Sequence, residues 1–253
     1  MIYKYRNIDK YTEDMITNNN IFFSNPLKYN DPFDTIINFF FEGNYELLYK
    51  KFIDWGIDNP KEFAKSLSKY REFPNIYKEY PDLLNSSVCC FSEENDNILL
   101  WSHYANNHEG ICLEYETIEY DGKPSLLFDA KDMKINYPVQ LLKVNYIDKP
   151  LPKINALYTQ YFTEQLVEYL STKYKIWENE KEIRCIIPNS KFYNHPNAKL
   201  EKNTLCGIIF GLKIKEHVKN GIKSLAKKNH KNIKFYSAIQ IPNEYRIEII
   251  QEF

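Results

Sequence analysis

The chain reads as one mixed α+β domain, and three observations predict that class. Strand-like runs with period-two alternation and helix-like runs with apolar residues three or four apart are interleaved along the whole sequence. Hydrophobic residues make up 43% and aromatic residues 16% of 253 positions, which is enough apolar surface to fill a core. No repeat, low-complexity tract or flexible linker interrupts the pattern, so a single domain over residues 1–253 is simpler than two.

The elements follow in order. MIYKYR predicts a strand, IDKYTEDMITNN a helix with Tyr11, Met15 and Ile16 on one face, and NIFFSNP a strand, giving a β-α-β beginning. After the Asn30-Asp31-Pro32 turn signal, residues from about 36 to 84 carry aromatic and charged side chains at helical spacing, interrupted by Pro60, Pro74 and Pro81. That pattern predicts a helical insert. SSVCCFS is a strand, EENDN a turn able to cap a helix, ILLWSHYANN a short helix, and EGICLEYE a strand after Gly110. LKVNY predicts a further strand, INALYTQYFTEQLVEYLSTKY a long helix, and EKEIRCIIP a strand. A strand-helix-strand-strand unit over about 204–253, from LCGIIFGL through KEHVKNGIKSLAKKN to IKFYSAIQI and YRIEII, completes the chain.

Composition removes several function classes. The 33 basic and 34 acidic residues nearly cancel, so any polyanion must be met by a local patch rather than a global field. Apolar runs such as INFFF and GIIFGL fall far short of the roughly 20 residues that cross a bilayer, and the first residues lack an apolar signal region. A cytoplasmic location is expected. Only seven glycines occur, never clustered, which leaves no G-x-G-x-x-G turn and no phosphate-cradling P-loop. G-x-S-x-G is absent as well. Five cysteines without paired spacing read as reduced thiols, and Cys89, Cys90, Cys112, His103 and His108 show no short ligand spacing for a metal. No metal is expected.

Three stretches carry chemistry. In WENEKEIRCIIP, positions two apart share a face of a strand, so Glu180, Glu182 and Arg184 line up about 6 to 7 Å apart while Ile183 and Cys185 face the core. On periodicity alone this is a solvated charge ladder; in a cleft, the paired carboxylates become candidates for acid, base or electrostatic work. NDNILLWSHYANNHEG places Trp101, His103 and Tyr104 on a short helix, where core packing with a satisfied polar tip competes with ligand stacking. Arg6 and Ser24 end the first two predicted strands and could face one crevice, or could be ordinary surface residues.

Taken together and in order, YKYR, FFSNPLKYNDPFD, CFSEENDNILLWSHYANNHEGICLEY and WENEKEIRCI resemble the bacterial and phage family called domain of unknown function 2971. The layout is also similar to ADP-ribosyltransferases, in which a first strand carries His or Arg, a second ends in an aromatic and Ser or Thr, a helix carries an aromatic, and a late strand carries Glu. Arg6, Ser92 with Trp101 and Tyr104, and Glu182 fall at those places, and Glu180-x-Glu182 resembles the E-x-E pair of the arginine-type branch. The Ser-Thr-Ser of that branch is missing, and Ser24 and Ser92 both compete for its place; there is no His at or near Arg6.

The resemblance implies a split β-sheet core with the helical insert, NAD as substrate, and transfer of ADP-ribose to a protein or nucleic-acid acceptor. Toxins and anti-phage defence effectors are among the roles that superfamily serves. Glu182 would stabilise the oxocarbenium-like ribose in a cleft shared with Arg6, and Glu180 would orient or deprotonate the acceptor. Arg6 would meet phosphates or the adenosine ribose, Trp101 or Tyr104 would stack on nicotinamide, and Ser24, Ser92 and His103 complete the cofactor-binding set. The alternative is a non-catalytic nucleotide or nucleic-acid binding or regulatory module on the same fold, using a basic face over residues 213–234. A metal-free hydrolase or nuclease using Glu180, Glu182 and His103 is a third reading.

Overall fold

The structure is a computed structural model that describes residues 1–26, 29, 31–35, 39–40, 42–54, 56–68, 86–129, 138–155, 162–187 and 197–252. Ten strands form one sheet: β1 (Ile2–Arg6), β2 (Ser87–Ser92), β3 (Ile111–Tyr115), β4 (Ile118–Tyr120), β5 (Lys123–Leu126), β6 (Val139–Lys143), β7 (Glu182–Ile187), β8 (Leu205–Phe210), β9 (Lys234–Gln240) and β10 (Ile247–Gln251). Their order across the sheet is β10-β9-β8-β3-β1-β2-β7-β6-β5-β4. β8 and β9 run parallel because a helix connects them; the other neighbours pair antiparallel. Among the described residues the helices are α1 (Lys10–Asn18), α2 (Tyr45–Asp54), α3 (Pro60–Leu67), α4 (Ile98–Tyr104), α5 (Phe162–Leu170) and α6 (Glu216–Asn229), with a 3-10 turn at Lys175–Glu180. The molecule is therefore mixed α+β, with a large mixed sheet.

Local chemistry accounts for the helix ends near the site. Asp9 accepts a hydrogen bond from the Thr12 amide at 2.8 Å and so caps α1, and Asn19 leaves the helix in the left-handed region at φ 61°. The buried face of α1 is Thr12, Met15 and Ile16, whereas Tyr11, expected beside them, is 54% exposed. Asn97 caps α4 by accepting from the Leu99 and Leu100 amides. After α4 the chain turns through Asn106, Asn107 and His108, all at positive φ, to Gly110. A side chain at Gly110 would place Cβ 2.3 Å from the Arg6 carbonyl oxygen, so only glycine lets β3 approach β1 there.

Three apolar clusters hold helices to the sheet. Ile2, Phe91, Ile183 and Cys185 pack under α1 and α6 on one face. Val88 and Ile186 meet α2, α3 and α5 on the other, and Tyr5, Cys112 and Ile209 meet α4 there. Each large apolar side chain fully buried in them contributes about 1.5–3 kcal/mol. Cys89, Cys112 and Cys185 are buried free thiols, and Cys90 and Cys206 are half-buried. Among the described residues no helix is long and apolar enough to cross a membrane.

Several boundaries differ from the sequence reading. Asn20–Phe22 does not join the main sheet but pairs with Asn197–Lys199. The predicted long helix ends at Leu170, where Thr172 turns its hydroxyl back to the Glu168 carbonyl, and Thr172–Tyr174 becomes a strand parallel to Asn145–Ile147. Its beginning, 156–161, lies outside the described residues. Of the insert over about 36–84, α2 and α3 are described and 69–85 lie outside. The hairpin β4–β5, turning at Asp121 and Gly122 with φ 51° and 67°, was not anticipated.

Candidate functional site

The register of the central strands decides which residues can meet. Tyr3 is paired with Ser92, and Ser92 with Glu182. Directly paired residues share a face and alternate residues follow, so Tyr3, Ser92, Cys90, Glu182 and Arg184 project to one side of the sheet. Arg6, three positions from Tyr3, projects to the other side.

On the first side lies a buried cluster of five charges. Arg184 is 0% exposed. Its Nε and Nη2 donate to Glu182 Oε1 and Oε2 at 2.8 and 3.2 Å, Nη2 also to both Asp34 oxygens at 2.9 and 2.7 Å, and Nη1 to the Leu170 carbonyl at 2.7 Å. Lys173 Nζ donates to Glu180 Oε2 at 2.6 Å and Glu182 Oε2 at 3.0 Å and stands 3.6 Å from Asp34. The Tyr104 hydroxyl donates to Glu180 Oε1 at 2.9 Å, and the Tyr146 hydroxyl accepts from the Glu182 amide at 2.9 Å. Aromatic faces cover both cations: Trp177 lies 5.1 Å from Lys173 Nζ, and Tyr29 lies 5.6 Å from the Arg184 guanidinium. Among the described residues three carboxylates face two cations, one formal negative charge in excess.

The chain is shaped locally to build this cluster. Pairing with Asn145–Ile147 turns Lys173 inward. The 3-10 turn ends at Lys181, left-handed at φ 44°, so Glu180 is not on the β7 strand as expected. Ser92 Oγ pins the turn by donating to the Glu180 carbonyl at 2.8 Å, and Asn97 Nδ2 donates to the Asn179 carbonyl at 2.5 Å. The two glutamates are brought together by this bend, and each is only 7% exposed, so the solvated ladder is excluded.

Burial sets the protonation pattern, and the cations modify it. For Glu182 desolvation pushes upward, but Arg184 and then Lys173 outweigh it and hold the carboxyl down at about 2. For Asp34 desolvation wins over the same two cations, and its pKa is raised. Lys173 is pulled down by burial but raised overall by Glu182 and Glu180. Burial raises the Tyr104 phenol, with Glu180 adding to it, and pushes Tyr146 up to about 12.

Of the residues singled out in the sequence, the structure brings together Glu180, Glu182, Tyr104 and Ser92. Arg6 is corrected to the opposite face, where its Nε donates to Thr12 Oγ1 and its Nη2 lies 3.5 Å from Asp9. Ser24 lines the same cavity as Arg6, away from the glutamates. Trp101 is wholly buried, edge-on to Tyr5 and donating to the Asn95 carbonyl, so it is core rather than a stacking surface. His103 is exposed, edge-on to the Tyr104 ring. Sequence reasoning missed Asp34 and Lys173. Asp34 closes the N-D-P-F-D motif, which was a visible signal; Lys173 was hidden by assignment to a helix tail. Among the described residues no group of three His, Cys, Asp or Glu side chains is placed to hold a metal ion. Next to Lys173 opens a cavity of about 360 Å³ walled by Phe33, Leu151, Tyr169 and Tyr174.

Sheet, helices and cluster define an α+β protein with a buried, carboxylate-rich ion network across one sheet face. Residues 100–185 match the family described as "Protein of unknown function (DUF2971)". The matched stretch contains Tyr104, Lys173, Glu180, Glu182 and Arg184, which is the cluster apart from Asp34. Human Spermatogenesis-associated protein 13 is 26% identical over 155 residues, 59% of this chain and 21% of that protein, and its mouse counterpart aligns with the same figures. The aligned segment thus covers about a fifth of the length of these curated relatives. No solved structure matches.

Proposed function

We propose that the protein is an ADP-ribosyltransferase-like enzyme that cleaves NAD and transfers ADP-ribose to a protein or nucleic-acid acceptor. The observation that supports it is a row of residues: the first strand, the Ser-bearing strand and the Glu-bearing strand are neighbours, and Tyr3, Ser92 and Glu182 are register partners across them. On this reading the sheet is an ADP-ribosyltransferase-like core with α2 and α3 as its insert. Ser92 rather than Ser24 fills the second position, and Tyr3 rather than Arg6 projects from the first strand into the site.

The chemistry then follows from the cluster. Breaking the glycosidic C–N bond sends the electron pair out with nicotinamide and leaves positive charge on the ribose. In the ground state the positive charge sits on the nicotinamide ring. A carboxylate kept ionised beside the ribose in a low-dielectric site therefore stabilises the transition state, where the charge has moved to the ribose, more than the ground state. Glu182, held at about 2, meets this requirement, with Arg184 and Lys173 fixing its position. The acceptor nucleophile bonds to the ribose carbon and gives its proton to Glu180, whose carboxylate the Tyr104 hydroxyl orients. A toxin or defence role is compatible with such an activity.

The test is nicotinamide release from NAD by the purified chain with candidate acceptors. Glu182→Gln and Glu180→Gln should each lower turnover by at least about a hundredfold, with thermal unfolding recorded to confirm that each variant is folded. Unchanged turnover in folded Glu182→Gln sinks the reading.

A second reading, a non-catalytic nucleic-acid binding module, draws support from the exposed lysines 213, 215, 227, 228, 231 and 234 in and around α6. Salt-sensitive RNA binding without NAD-dependent stabilisation favours it.

A further inference from the structure

Opposite the charge cluster, beneath α1, a cavity of about 230 Å³ opens between β1 and the strand Asn20–Phe22. Lys4 and Arg6 line it from the same face of β1, two residues apart and so about 7 Å between Cα atoms. Lys4 Nζ donates to the Cys90 carbonyl at 2.7 Å and lies 3.4 Å from Cys89 Sγ, and among the described residues no carboxylate comes within ion-pair distance of it. Arg6 spends Nε on Thr12 and meets Asp9 only at 3.5 Å. The carboxylate lining the cavity, Asp14, already accepts from the side-chain amides of Asn18 and Asn20. Lys4 and Arg6 thus line the cavity against Asp14, with Asp9 drawing on Arg6 from outside the lining, and Lys4 is the cation there without a carboxylate partner among the described residues.

The rim is aromatic. Tyr11 and Phe22 line the same cavity yet are 54% and 45% exposed, and Lys10 Nζ stands 5.1 Å from the Tyr11 ring. Two exposed rings beside two half-buried cations form the pattern that binds a flat base and an anion together. The volume is below the 300 Å³ or so that encloses a whole small ligand, so the anion is enclosed and the ring lies on the rim.

We propose that this cavity is a binding site for a nucleoside monophosphate, with the phosphate between Lys4 and Arg6 and the base against Tyr11 and Phe22. The site is separate from the carboxylate cluster and stands whether or not the chain consumes NAD.

Titration calorimetry on the full chain with AMP, adenosine and inorganic phosphate tests it. AMP should bind at least about tenfold more tightly than either fragment, because only AMP engages both halves of the site. Lys4→Gln should weaken AMP by about tenfold or more through loss of a charge-assisted contact. The exposed change Tyr11→Ser, which leaves the core intact, should weaken AMP and adenosine but not inorganic phosphate. Glu182→Gln should leave AMP affinity unchanged. No AMP binding, AMP no tighter than both fragments, or affinity lost in Glu182→Gln and kept in Lys4→Gln would each overturn the proposal.

Discussion

The two faces of the central sheet use charge in opposite ways. On one, Arg184 and Lys173 are buried and committed to Asp34, Glu180 and Glu182 with nearly every donor engaged. On the other, Lys4 and Arg6 are half-buried and face a cavity, and among the described residues the ion pair they make is that of Arg6 with Asp9 at 3.5 Å. A saturated network fixes geometry, since each member is held by several others. An unsaturated one holds donors in reserve. The strands are the same ones, and alternation along β1 and its neighbours is what sorts the two sets.

The sharpest way to break the comparison is at its most buried charge. Arg184→Met leaves Glu182 and Asp34 buried with only Lys173 between them, and removing one partner of such a network typically costs about 3–5 kcal/mol. Urea unfolding should show that loss. Adding Glu182→Met to the same chain should recover part of it, because the desolvated carboxylate goes too.

Acid sharpens the contrast within the cluster. The folded pKa of Glu182, about 2, lies below the ordinary 4.5 of an unfolded chain, so its stabilisation is complete above 4.5 and is lost as pH falls towards 2. Glu182→Gln should flatten the acid limb of stability across that window. Asp34 works the other way: its raised pKa makes the folded state bind a proton more readily, which favours folding at low pH and fades as pH rises. Asp34→Asn should therefore make the acid limb steeper. Chemical denaturation at several pH values separates the two.

Much of this architecture was legible in the sequence. Period-two runs located β1, β2, β3, β7, β8, β9 and β10, and helical spacing located α4 and α6. The site was legible only in part, for two physical reasons. Strand alternation was extended one turn too far at Glu180, because a left-handed Lys181 that redirects the chain leaves no trace in hydrophobic pattern. Asp34 meets Arg184, and Lys173 meets Asp34, only through tertiary packing, which local periodicity does not encode. Arg6 was placed on the wrong face because register with Ser92, not position near a strand end, decides sidedness. The Asp121-Gly122 turn, by contrast, was a readable hairpin signal that went unused.

A smaller effect tests how the cluster reaches solvent. Tyr104 is 38% exposed, and its hydroxyl is a single neutral donor to Glu180, whose other oxygen keeps Lys173. Tyr104→Phe should cost about 1 kcal/mol in thermal or urea unfolding, well below Arg184→Met. A cost as large as that of Arg184→Met would mean the phenol is part of the scaffold rather than a lid over it.

The smallest expected effect is also the most informative about the opposite face. Lys4 makes one strong hydrogen bond, to the Cys90 carbonyl, and no ion pair among the described residues. Lys4→Gln keeps a donor for that carbonyl and removes a cation that has only Arg6 as its charged neighbour on the strand, so stability should change by less than about 1 kcal/mol. If the cavity exists to receive an anion, this variant separates folding from binding: the unfolding midpoint stays put while affinity for AMP falls. A large loss of stability would instead place Lys4 in the same structural role as Arg184, and the two faces would not differ in purpose.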